Sequence, residues 1–156
     1  MNNKSEFRDV LVIKRQFSAP IERVFAAWTD ADVLARWFGP EGFVVTRSTV
    51  DLSVGGAYEI EIQSPDGQLI KHFGHYMEIS VPNKLVFTWI LEDQACQGSE
   101  GQCAETLVSI AFTRIDQATE ITLTHEHLPD QAAYDGHAFG WNSSFDSLEI
   151  LCLKDS

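Results

Sequence analysis

"QAAYDGHAFGWNSSFDSLEILCLKDS", residues 131–156, returns to helical spacing after a long run of strand-like sequence. Tyr134, His137/Ala138, Trp141, Ser144/Phe145, Leu148 and Leu151/Cys152 recur at intervals of three and four, which places them on one stripe of a helix. Asp130, just after Pro129, stands where an N-cap residue belongs. Gly136 and Gly140 each weaken a helix by about 1 kcal/mol relative to Ala. Their presence calls for close backbone approach or a local bend. A lone long helix must bury its apolar stripe against another layer, so the rest of the chain decides what that layer is.

Almost everything upstream reads as strand. "RDVLVIKRQF" (8–17), "FVVTRSTV" (43–50) and "KLVFTWIL" (84–91) are β-branched and apolar. "AYEIEIQ" (57–63) alternates, with Tyr58, Ile60 and Ile62 opposite Glu59 and Glu61. "LIKHFGHYMEI" (69–79) is longer, and Gly74 within it marks a possible bulge. "TLVSIAFTRI" (106–115) and "TEITLTHEH" (119–127) complete the series. Gly55-Gly56, Pro65-Asp66-Gly67 and Val81-Pro82-Asn83 supply turns, so the strands read as antiparallel neighbours. Only "APIERVFAAW" and "TDADVLARWF" interrupt them. In the first, Pro20 opens a helix that aligns Ile21, Val24, Phe25 and Trp28. In the second, Thr29 or Asp30 caps a short helix that ends at Gly39-Pro40. The expected fold is α+β: a curved antiparallel sheet of six or seven strands wrapped around a long C-terminal helix, with two short helices after the first strand. Such a sheet leaves a cavity on its concave face, and the aromatic turn "LARWFGPEGF" (34–43) belongs at the mouth.

At 156 residues and 44% hydrophobic, the chain 1–156 reads as a single domain with a sizeable core. A formal charge of −12 with scattered Lys and Arg argues against nucleic acid and anionic membranes as partners. No apolar run approaches the roughly 20 residues that span a bilayer. The N-terminus lacks a signal peptide's apolar region, so a cytoplasmic location is expected. There, Cys96 and Cys103 are expected as free thiols, and Cys152 on the helix stripe as a small hydrophobe.

Several stretches carry a resemblance: "FSAPIERVFAAWTD", "LARWFGPEGF", "GGAYEIEIQSPDG", "GHYMEISVPNKLVFTW", "ETLVSIAFTRID", "TEITLTHEHL" and the Gly140-Trp141 pair. In this order, over nearly the whole chain, they resemble the START-like (Bet v 1-like, SRPBCC) helix-grip superfamily, in the branch of the heat-shock protein ninety ATPase activator. The resemblance implies a hydrophobic pocket between sheet and helix. It carries over no catalytic residue and no cofactor, because that branch has no shared catalytic motif.

The candidate ligand-binding residues are Trp28, Trp37, Phe38, Phe43, Val45, Tyr58, Ile60, Phe73, Phe87, Trp89, His125, His137, Trp141 and Phe145. Trp37 and Trp141 are expected to flank the cavity. His125 and His127 share a strand face with Ile121 and Leu123, and His137 lies on the inner stripe of the helix. No metal is expected, since His125-x-His127 lacks a third ligand and His72-x-x-His75 completes no zinc pattern. Arg47 is expected to face solvent. The leading reading is binding of a small hydrophobic or aromatic molecule. The alternatives are a cyclase- or hydrolase-type enzyme using a cavity His or Tyr, and a chaperone-interaction module.

Overall fold

The computed structural model describes residues 8–92 and 104–154. Cys96 and Cys103 lie outside the described residues. Strand β1 (Leu11–Phe17) leads into helix α1 (Ile21–Thr29) and the single-turn helix α2 (Ala31–Leu34). Strands β2 (Val44–Val50), β3 (Ala57–Gln63), β4 (Leu69–Ser80), β5 (Lys84–Glu92), β6 (Glu105–Ile115) and β7 (Ala118–Glu126) follow, and helix α3 (Gln131–Lys154) ends the series. All neighbours in the seven-stranded sheet are antiparallel, in the order β1-β7-β6-β5-β4-β3-β2. β1 and β2 are thus opposite edges of an unclosed, curved sheet, and α1 and α2 carry the chain between them. This is the expected α+β helix-grip architecture.

Local chemistry explains the elements. Ile21, Val24, Phe25 and Trp28 on α1 are all buried, as their spacing required. Asp30 caps α2 by accepting from the backbone N–H groups of Asp32 and Val33. Asp130 does the same for α3, its Oδ1 accepting from Ala133 N–H at 2.9 Å. At the other end of α3, the Arg23 guanidinium donates to the carbonyls of Leu151 and Cys152, in the last turn, where helix carbonyls generally lack intrahelical donors. Arg15 from β1 ties the middle of α3 to the sheet through Asp146 at 2.7 Å. Cys152 is buried as a small hydrophobe.

Two strand details depart from the sequence reading. Gly74 is not the bulge in β4: it pairs with Tyr58, and the register shifts between Tyr76 and Glu78 instead. A Cβ at Gly74 would lie 2.1 Å from the Thr88 carbonyl oxygen, so that position needs glycine for close approach. The shift beside Met77 also reverses the inside-outside parity of β4. Before it, His72 and Tyr76 face the core and Phe73 the outer face, and after it Ile79 turns toward the core. At the end of β7, His127 adopts a left-handed conformation (φ 70°). That turn takes His127 into solvent and delivers Leu128 to the core, so His125 and His127 do not share a face.

Candidate functional site

A cavity of about 600 Å³ lies between the sheet and the N-terminal half of α3. Its sheet wall is Ile62, Ile70, His72, Trp89, Leu91 and Thr106. The helix contributes Ala132, Ala133, Gly136, His137, Gly140, Trp141 and Ser144, and the turn after α2 contributes Phe38, Gly39, Pro40 and Phe43. A Cβ added at Gly136 or Gly140 would meet nothing within 4 Å. These glycines therefore do not serve close backbone approach. They leave space where a side chain would otherwise stand.

The aromatic turn at 34–43 proves to be a wall of this cavity, fastened to the helix. Gly39 N–H donates to Ser144 Oγ and Glu41 N–H to Ser143 Oγ, both at 2.9 Å. Phe38 and Phe43 face the cavity. Trp37 does not: its indole N–H donates to the Ala27 carbonyl at 2.9 Å, and its ring packs on Trp28 with centroids 4.9 Å apart.

Of the candidate residues, Phe38, Phe43, Trp89, His137 and Trp141 come together around the cavity. Trp28, Tyr58, Ile60 and Phe87 line a separate recess of about 20 Å³ behind Phe38 and Trp89. There the Tyr58 hydroxyl donates to the Thr88 carbonyl at 2.6 Å, and burial pushes its pKa well above the ordinary tyrosine value. Trp37 and Phe145 are core residues, and Val45 packs against the core from the edge strand β2. Phe73 is on the outer face, and Arg47 is exposed near Glu59. The sequence reading missed His72, Thr106 and Ser144. Counting back by twos from Tyr76 through Gly74 would have found His72.

A hydrogen-bonded relay fixes the polar part of the wall. Trp141 Nε1–H donates to His125 Nδ1 at 3.1 Å, and His125 Nε2 lies 2.8 Å from Thr106 Oγ1. Thr106 in turn donates to the Trp89 carbonyl at 2.8 Å. With Nδ1 accepting, Nε2 of His125 carries the proton and donates to the threonine. Trp89 Nε1–H donates to His137 Nε2 at 3.2 Å, and His137 Nδ1 lies 2.8 Å from the Ala133 carbonyl. Both histidines are thus placed as neutral rings. Burial, aided by nearby His137, pushes His125 down to about 3, and burial likewise pushes His72 down to about 3. Among the described residues, no three His, Cys, Asp or Glu side chains form a group able to hold a metal ion. None of the described helices is long and apolar enough to cross a membrane.

Comparison with known proteins agrees with this geometry. A crystal structure of a protein from Chromobacterium violaceum superposes with a TM-score of 0.81 at 28% identity, covering 92% of this chain and 96% of that one. The AHSA1 protein of Silicibacter pomeroyi gives 0.82 at 25% identity, covering 95% and 100%. A solution structure of a protein from Arthrobacter aurescens gives 0.81 at 21% identity, covering 96% and 92%, and shares the fold. None of the curated proteins matches the chain. The family described as "Activator of Hsp90 ATPase homolog 1-like protein" matches residues 18–152. A match of that extent, on this fold, means that the chain belongs to that family.

Proposed function

We propose that this protein binds a small hydrophobic or aromatic molecule in the cavity beneath the N-terminal half of α3. The observation that carries the reading is a cavity of about 600 Å³ with predominantly apolar walls. Small-molecule sites commonly span about 300–1,000 Å³, with a few placed polar groups among apolar ones. The relay supports binding over acid–base chemistry. Both ring nitrogens of His125 are engaged with Trp141 and Thr106, and a catalytic acid or base works best with a pKa near the operating pH. The family name points to a chaperone, but docking through an outer surface would give the cavity no role.

Native mass spectrometry of the purified protein tests for a retained molecule. A ¹H–¹⁵N titration with flavonoids, fatty alcohols and polyketide-like aromatics tests for binding directly. The Trp89 and Trp141 indole N–H signals should shift saturably with at least one class. No retained molecule and no saturable shift with any class would overturn the reading.

A further inference from the structure

The cavity wall is unusual in the charges it carries. Asp130 is the one ionisable acid among the described lining residues, and no Lys or Arg accompanies it. Arg36, two residues before the lining residue Phe38, is exposed, and other basic side chains of the sheet and α1 are engaged elsewhere. Lys71, between the lining residues Ile70 and His72, faces the other way and lies 3.6 Å from Glu59. Arg15 pairs with Asp146, and Arg23 with the last carbonyls of α3. Between the lining residues Leu91 and Ala104, the sequence has Glu92, Asp93 and Glu100 and no basic residue at all. A helix N-terminus attracts anions, and that of α3 borders this cavity. Its positive end is already matched by Asp130, whose Oδ1 accepts from Ala133 N–H. A carboxylate entering here would lose its water and find no cation among the described lining residues, which is a large penalty.

One wall group still has an unfilled role. His72 Nδ1 lies 3.4 Å from the Ile60 carbonyl. With the proton on Nδ1 directed at that carbonyl, Nε2 is an acceptor. It has no hydrogen-bond partner among the described residues. The ring sits between Phe38 and Trp89, with centroid distances of 5.2 and 4.9 Å. Aromatic walls and a neutral acceptor therefore meet at one place.

We propose that the cavity selects an uncharged, ring-containing ligand whose hydroxyl or N–H donates to His72 Nε2, and that it rejects carboxylates of the same shape. The proposal rests on the reading of this cavity as a ligand site, and its test separates the two. Three probes share one skeleton: 2-naphthol, which donates; 2-methoxynaphthalene, which does not; and 2-naphthoate, which is charged. Each is titrated at pH 7.5 while the Trp89 and Trp141 indole signals are followed. Naphthol should bind at least about tenfold more tightly than naphthoate, with methoxynaphthalene between them. His72→Phe should bring naphthol and methoxynaphthalene to equal affinity while naphthoate stays weak. Naphthoate binding as tightly as naphthol, or equal binding of naphthol and methoxynaphthalene to the unmodified protein, overturns the selectivity while the ligand site stands. No saturable binding by any of the three overturns both.

Discussion

The C-terminal half of α3 presses Phe145, Leu148 and Cys152 into the core, whereas the N-terminal half holds Ala133, Gly136 and Gly140 over open space. One half is packed by aromatic rings: Phe145 meets Phe17, Trp28 and Trp141 at centroid distances of 5.7, 5.9 and 6.0 Å. The other is kept open by small residues and lined by neutral histidines. Trp141 stands at the boundary, touching the cavity with one part of its ring and anchoring His125 with its N–H. The contrast separates two roles within one helix: the packed half holds the fold together, and the open half keeps a volume free.

Breaking the packed half should have the largest effect. Phe145 is fully buried, so Phe145→Ala should cost about 3–5 kcal/mol in denaturant unfolding. Naphthol affinity, measured under conditions where the variant remains folded, should change little. A loss below about 1 kcal/mol would mean that the two halves are not packed differently.

Acid should attack the polar wall next. His72 and His125 are held down to about 3, whereas an unfolded histidine titrates near 6.5. Below that value the unfolded chain binds protons that the folded protein refuses, so stability falls with falling pH. The contribution is complete above about pH 6.5 and is lost progressively down to about 3. From pH 7.5 to 5 each histidine should cost about 2 kcal/mol, seen as a lower urea midpoint. His125→Gln should remove about half of that pH dependence. An unchanged midpoint across the range would show that these rings protonate in place.

Thr106→Val tests the relay on a smaller scale. It removes the acceptor of His125 Nε2–H and should cost about 1–3 kcal/mol, while Thr106→Ser retains most of the stability. Equal melts for the two variants would remove the relay from the account.

The smallest expected change is a gain. Gly136→Ala with Gly140→Ala should raise stability by roughly 0.5–1 kcal/mol per site, because added Cβ atoms meet nothing. A loss of stability in the double variant would place the glycines in a packed interface.

The packed half was far more legible in sequence than the open one. Ile21, Val24, Phe25 and Trp28, and later Trp141, Phe145 and Leu148, show their faces through spacing alone, because burial of a stripe is a periodic requirement. The open half is set by what is missing and by where strands slip. Gly136 and Gly140 read as weak points of a helix, and nothing in the sequence says that their neighbours stay away. The face of β4 is blurred in sequence because its parity reverses beside Met77, so that Ile79 and Phe73 read as one face, and a register shift is written in pairing rather than in composition. The position of Trp37 in the turn points it to the mouth of the cavity. Its side chain instead reaches back to the Ala27 carbonyl, a long-range bond that no local pattern records.

Filling the open half tests the central claim most directly. Gly140 lines the cavity and a Cβ added there meets nothing within 4 Å, so the Gly140→Leu side chain should occupy cavity space, and leucine is a good helix former. Naphthol titrations and urea melts should be run on this variant and on the unmodified protein side by side. The account predicts at least about a tenfold loss of affinity with stability unchanged or raised. Unchanged affinity in a stably folded Gly140→Leu protein would contradict it.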